Sequence, residues 1–366
     1  MTRISLVATL AALLLTGGAQ AGSVRFAIDS VAVDGSGVLR LAVGPNPLES
    51  PTFSPDGRTV AFVRDAAAVG VVGADAAGER TLVDFSTNAL YAVVFGPVWS
   101  PDGRTLFTPA VTYSYGDPRD AFAQLFAVDV VSGSVDSLHR GMYVSYSPDG
   151  RYIVYQTHQY GPAGMGGDTI GVCRPDGSRD VALGRGSYAA WAPTPDDRIA
   201  YVTKAGYLTV SAPDDRRRWT LRTMKAGPTA WFPDGKTIAF AHAGPRPALF
   251  LVAPGARKAR RLVDIPTVPG SASPSVSVSP DGRWIAVSYD RLTFLVKRDG
   301  RGLIAFPATG AAWSPKTAAL ALVNGSGLSI WTPAGGTLGI SAGTGLMSEP
   351  AWSPDGTRIL VVETGL

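Results

Sequence analysis

The 366 residues are 45% hydrophobic and only 17% charged, and they include 43 glycines and 28 prolines, a balance that suits a turn-rich all-β protein. A formal net charge of +4 is too mild to argue for a nucleic-acid partner. The single cysteine, Cys173, excludes an internal disulfide, so stability has to come from the core alone.

In chain order, residues 1–21 stand apart. Arg3 supplies a positive start, residues 4–15 form an apolar run, and Ala19-Gln20-Ala21 has the small-x-small form of a cleavage site. This predicts a secretory signal peptide, cleaved before Gly22 and too short to span a membrane. No other run of about 18 apolar residues follows, so no transmembrane segment is expected. Cys173 lies far from the leader, which argues against a lipid-anchored N-terminal cysteine. Its apolar neighbours, Thr169-Ile170-Gly171-Val172, predict a buried, inert thiol.

From Phe53 onward an aromatic followed by Ser-Pro-Asp-Gly recurs with variations. Its prolines are Pro55, Pro101, Pro148, Pro193, Pro233, Pro280, Pro315 and Pro354, separated by 46, 47, 45, 40, 47, 35 and 39 residues. A period of this size marks a repeat architecture. Two residues before each proline stand Phe53, Trp99, Tyr146, Trp191, Trp231, Val278, Trp313 and Trp352. Rings at seven of these eight positions point to a large, buried packing site. The turn has its own chemistry, with proline fixing φ, aspartate bonding nearby backbone and glycine accepting positive φ. A basic residue and an apolar run such as Thr59-Val60-Ala61-Phe62-Val63 follow, completing an antiparallel hairpin. The copies at Pro193 and Pro315 have drifted in the turn but keep the tryptophan and the next strand.

Between these hairpins lies a second, looser hairpin with a polar turn, such as Asp34-Gly35-Ser36-Gly37 or Arg174-Pro175-Asp176-Gly177. Each unit thus holds four short strands, the blade of a β-propeller. The chain opens on a second-type hairpin (residues 24–43) and closes on a first-type hairpin (residues 349–362). These halves complete one blade, so the ends should pair and close the ring. The expectation is a single β-propeller over residues 22–366 with eight four-stranded blades, or seven if the short 280–315 unit is not a full blade.

The Ala-Trp-Ser-Pro-Asp-Gly series of residues 351–356, with its copies along the whole mature chain, resembles the WD40-like (PD40) repeats of the TolB-type β-propeller family. That resemblance implies the propeller fold. Family members include periplasmic scaffold proteins, propellers attached to prolyl-oligopeptidase-type peptidases, and polysaccharide-degrading enzymes. TolB itself adds an N-terminal α/β domain, for which the stretch between Gly22 and the first blade leaves no room.

Function is sought where loop length varies. Three long connections belong to neighbouring blades on one face: residues 84–96 with Phe85 and Tyr91, a loop with Tyr113, Tyr115, Asp117, Arg119 and Asp120, and residues 156–168 with His158, Tyr160, Met165 and Asp168. Aromatic and arginine enrichment is characteristic of binding surfaces. A second candidate, on the opposite face, is the basic group Arg216, Arg217, Arg218, Arg257, Lys258, Arg260 and Arg261, suited to an acidic envelope polymer or phospholipid headgroups.

Catalytic sets are not found. His139, His158 and His242 lack metal-ligand spacing. Gly339-Ile340-Ser341-Ala342-Gly343 matches a hydrolase pentapeptide but precedes no α/β domain. No catalytic, metal or cofactor residue is assigned. The expectation is a periplasmic or secreted, monomeric, non-enzymatic scaffold that binds an envelope protein or glycan through blades 1–3. The alternative is a propeller enzyme acting on a saccharide or lactone at the channel mouth.

Overall fold

A computed structural model describes residues 25–86, 91–114, 117–159, 166–242, 247–266, 268, 274–340, 343 and 345–365. Regular structure among them is β-strand throughout. Strands β1 (Phe26–Ala32) and β2 (Val38–Gly44) come first, followed by a four-stranded sheet of β3 (Leu48–Phe53), β4 (Thr59–Arg64), β5 (Ala68–Gly73) and β6 (Arg80–Asp84). A twelve-stranded sheet joins three further sets. The first contains β7 (Tyr91–Val94), β8 (Val98–Trp99), β9 (Thr105–Ser114), β10 (Asp117–Asp129) and β11 (Val135–Arg140). The second is β12 (Met142–Tyr146), β13 (Ile153–Gln159), β14 (Gly166–Cys173) and β15 (Val181–Trp191), and β15 continues into the third with β16 (Ile199–Thr203), β17 (Leu208–Ser211) and β18 (Arg218–Thr220).

Three separate four-stranded sheets follow: β19 (Thr229–Trp231), β20 (Ile238–His242), β21 (Ala248–Val252) and β22 (Arg260–Asp264); β23 (Ser275–Val278), β24 (Trp284–Ser288), β25 (Leu292–Lys297) and β26 (Ile304–Pro307); then β27 (Gly310–Trp313), β28 (Leu320–Asn324), β29 (Gly327–Thr332) and β30 (Gly336–Ile340). The short unit after Pro280 thus carries a complete antiparallel sheet. The last strands, β31 (Leu346–Trp352) and β32 (Arg358–Thr364), form one sheet with the first two in the order β2-β1-β32-β31. β1 and β32 pair without a bulge from Phe26↔Thr364 to Ala32↔Arg358. The predicted joining of the chain ends is therefore present, and the fold is an all-β propeller.

The middle strands of each set are continuous apolar runs because neighbouring sheets cover both their faces. Val60-Ala61-Phe62-Val63 and Ile285-Ala286-Val287 are buried along their length. Each major hydrophobic cluster is shared by two successive sets. One links Ala61, Val63 and Val69 to Leu106, Phe126 and Val128, and another links Ile28 and Leu360 to Phe53, Val60 and Phe62 across the closure.

Recurring polar contacts explain why the aromatic position favours tryptophan. Each indole N–H donates to the preceding set, at the residue just before that set's own aromatic position: Trp99 to the Thr52 carbonyl (3.2 Å), Trp191 to Ser145 (3.0 Å), Trp231 to Ala190 (3.1 Å) and Trp352 to Ala312 (2.8 Å). Trp313 uses the Ser277 hydroxyl instead, at 3.1 Å. One such bond contributes about 1 kcal/mol net.

The turns interlock as well. Ser54 Oγ donates to Asp56 Oδ1 (2.5 Å) and accepts the Thr59 N–H (3.0 Å). The same trio recurs at Ser100, Ser147, Ser279 and Ser353. These serine hydroxyls hold the carboxyls of Asp56, Asp102 and Asp355 below the usual range. Gly57, at φ 73°, needs positive φ and also lies against Pro354 of the last turn, as Gly103 lies against Pro55 and Gly150 against Pro101. The motif therefore seals blade to blade on one face of the ring, which leaves the opposite face to vary.

Candidate functional site: extended paired strands

Two of the three long connections are not loops. β9 and β10 run 10 and 13 residues, pairing as far out as Asp117↔Ser114. β13 and β14 continue as far as Gln159↔Gly166. The two hairpins join where Phe122 pairs with Gln159, and β7 adds a further strand through Tyr91↔Thr112 and Val94↔Ala110. A continuous hydrogen-bonded run β7-β9-β10-β13-β14 results. It joins two sets through the Phe122↔Gln159 pair.

This extension gathers most of the sequence-derived candidates. Tyr91 lies on β7, Tyr113 on β9, Asp117 and Arg119 on β10, His158 on β13 and Asp168 on β14. Asp168 accepts the Gln156 side-chain amide at 2.9 Å. Tyr115, Tyr160 and Met165 lie outside the described residues. Phe85 is a correction. It is 5% exposed, packed on Phe126 at 5.0 Å between ring centroids, and belongs to the core rather than to a binding surface.

The sequence reading missed a second set of positions on the first strand of each unit. First strands of successive sheets lie side by side, β31 by β3, β27 by β31 and β19 by β23, while fourth strands such as β22 and β30 are largely exposed. First strands therefore line the centre. Several carry a bulge three residues before the aromatic, with the bulged residue in the left-handed region: Ser50 (φ 52°), Tyr143 (53°), Tyr188 (59°) and Glu349 (53°). Such conformations are uncommon for residues other than glycine, and bulges re-aim side chains. Tyr143 and Tyr188 are 57% and 43% exposed despite their inner position. Across the closure, Glu349 accepts the Ser50 N–H, and burial followed by the Glu349 charge raises the Glu49 carboxyl above its ordinary value. A signal was available, since every one of these residues stands at a fixed offset from the aromatic.

A buried ionic group sits in the closure sheet. Arg40 of β2 makes a two-pronged contact with Asp29 of β1 (3.0 and 3.0 Å) and reaches Glu363 of β32 at 2.7 Å. Asp29 and Glu363 are fully buried. The Gly345 N–H donates to Glu363 at 2.6 Å, and a Cβ on Gly343 or Gly345 would collide with that carboxylate. This cluster fastens the chain ends.

Other candidates have structural partners. Cys173 is buried as expected, and burial pushes its thiol up to about 12. His139 bonds the Gly177 carbonyl (2.7 Å) and stacks on Tyr155, and His242 bonds the Lys225 carbonyl (2.9 Å). Among the described residues no group of three or more His, Cys, Asp or Glu could hold a metal ion. Within the basic group, Arg216, Arg218 and Arg261 pair with Asp214, Asp215 and Asp264. Ile340 ends β30, and Ser341 of the pentapeptide lies outside the described residues.

No family model matches the chain. A curated relative, the uncharacterized peptidase YuxL of Bacillus subtilis, is 28% identical over 30% of this chain and 21% of its own length, so the chain spans about a fifth of that protein. Among solved structures, a dipeptidyl peptidase 4 from Porphyromonas gingivalis superposes with a TM-score of 0.58 at 11% identity, over 86% of this chain and 56% of that one. An oligogalacturonate lyase in complex with manganese gives 0.53 at 12% identity, over 93% and 91%. TolB structures are also among the neighbours, at TM-scores of 0.44 and 0.42. At these identities the likeness is one of fold alone. Among the described residues no helix is long and apolar enough to cross a membrane.

Proposed function

We propose that the chain is an exported, eight-bladed binding propeller of the cell envelope, periplasmic or secreted, that captures a protein or glycan without catalysing a reaction. The observation that supports this reading is the strand extension β7-β9-β10-β13-β14, along whose paired strands the positions of Tyr91, Tyr113, Asp117, Arg119, His158 and Asp168 fall. Residues on paired strands have less backbone entropy to lose on binding than residues on free loops, and tyrosine and arginine are the side chains that most often dominate binding energy. The leader-like composition of residues 1–21 supports export.

The test is capture of envelope proteins and glycans by the mature protein. Tyr113→Ala combined with Tyr160→Ala, the latter between β13 and β14, is expected to weaken capture about 30-fold or more, corresponding to at least one dominant contact of about 2 kcal/mol. Capture that is indifferent to both substitutions would remove the extension from the account.

A second reading has its own observation. Glu49, with its raised carboxyl, lies close enough to Glu349 to feel its charge, as a proton-holding group beside a carboxylate would. This favours an enzyme acting on a saccharide or lactone at the channel mouth. Turnover of such a substrate that disappears in Glu49→Gln, with capture unaffected by the tyrosine changes, would establish it instead.

A further inference from the structure

Fourth strands form the outer edges of the sheets, where unpaired backbone groups invite another strand. Almost all are guarded in the usual ways, by charge or by proline. β2 carries Arg40, β6 has Arg80 and Asp84, β11 has Asp136 and Arg140, β18 has Arg218, β22 has Arg260, Arg261 and Asp264, and β26 ends in Pro307. Among the described residues β30, Gly336-Thr337-Leu338-Gly339-Ile340, has neither. It lies within a stretch of sequence, residues 317–348, without a single charged side chain or histidine.

This edge is also open. β30 pairs with β29 on one side alone among the described residues, its first four residues are exposed, and Leu338 is 63% exposed. A methyl group built on Gly336 or Gly339 would meet no atom within 4 Å. Glycine neighbours on either side of Thr337-Leu338 leave room for the side chains of an incoming strand.

We propose that β30 is a self-association edge, pairing antiparallel with β30 of a second copy of this chain about a two-fold axis through Leu338. A neutral edge offers no charge for a charged partner to recognise. The other outer strands would bring a charged side chain or a proline into the junction, so a like edge is the match this molecule presents. An isologous contact of this kind closes as a dimer rather than growing into a fibre. A junction about 17 Å long and one strand wide buries on the order of a few hundred Å², well short of the roughly 1,200–2,000 Å² interface of a stable complex. The dimer is accordingly weak and reversible, and it adds a joined sheet across two propellers without covering the β7-β9-β10-β13-β14 platform.

Leu338→Cys tests this directly, because residues directly opposite in an antiparallel pair have Cα atoms about 4.5–5.5 Å apart, within disulfide reach. The native Cys173 is buried and does not compete. Under mild oxidation Leu338→Cys is expected to form a covalent dimer much faster than Val38→Cys on the Arg40-guarded edge of β2. Wild-type protein should show a concentration-dependent doubling of mass in sedimentation equilibrium that Thr337→Lys abolishes. Equal cross-linking of both cysteine variants would overturn the proposal. So would a monomeric wild-type mass up to hundreds of micromolar, a measurement that needs no variant to fold.

Discussion

A chain lacking residues 349–366 is expected to lose its cooperative unfolding transition altogether. The deletion removes all of β32 and most of β31, and with them the partner that joins β1 and β2 to the last sheet. Ile359, Leu360, Val361 and Val362 are 0–4% exposed. At about 1.5–3 kcal/mol for each fully buried aliphatic side chain, their loss approaches roughly 6–12 kcal/mol, comparable with the whole stability of a typical domain at about 5–15 kcal/mol. The loss also reaches beyond one blade. Ile359 and Val361 pack on Ala321, Val323 and Leu328 of the preceding set, and Leu360 packs on Phe53 and Val60 of the first. Near-ultraviolet circular dichroism followed through a thermal melt reads the outcome, and an unchanged transition in the truncated chain would refute closure by pairing of the ends.

Arg40→Ala is expected to be the most damaging single substitution at the closure, and its effect should depend on pH in a definite sense. The arginine is the counter-ion the structure gives to two fully buried carboxylates, Asp29 and Glu363. Removing one partner of a buried ionic group costs about 3–5 kcal/mol. Because the Arg40 side chain is 45% exposed, the lower end of that range applies. Burial raises the Asp29 carboxyl above its ordinary value, with Arg40 pulling it down and Glu363 pushing it up. A raised folded-state value means that the native protein keeps a proton the unfolded chain releases. The corresponding stability is complete at low pH and is lost as pH rises through that value. Without Arg40 the value climbs further. Urea titrations should therefore find the deficit of the variant largest at neutral pH and smaller near pH of about 4, where carboxylates begin to protonate. A deficit independent of pH would show that Arg40 acts by packing alone.

The repeat was legible in the sequence because its chemistry is local. The aromatic, the serine hydroxyl, the aspartate and the positive-φ glycine all act within about seven residues, so each copy announces its own hairpin. The closure was legible for a similar reason, since half a unit stood at either end. What joins the copies was not. The indole of Trp352 reaches a carbonyl 40 residues away, and Arg40 meets Glu363 across 323 residues, distances at which a linear pattern carries no signal.

The candidate site was half visible. In the sequence its residues read as loop residues, because strands of ordinary length would end before them. Yet Val111-Thr112-Tyr113-Ser114 has the alternation of a strand, and in the structure it is one. Phe85 shows the opposite error. An aromatic beside a polar turn reads as exposed, whereas the neighbouring set supplies Phe126 to cover it. The bulged positions Ser50, Tyr143, Tyr188 and Glu349 differ in chemistry, so only their common offset from the aromatic could have revealed them.

Native-state amide hydrogen exchange tests the closed ring most directly. If the joint between the chain ends is integral to the propeller, the amides of β1 and β32 exchange only through global unfolding, with the same protection as those of β4, β5, β24 and β25. Exchange of β1 at a markedly lower free energy than these strands would contradict the account, showing that the last sheet opens while the rest of the ring stays folded.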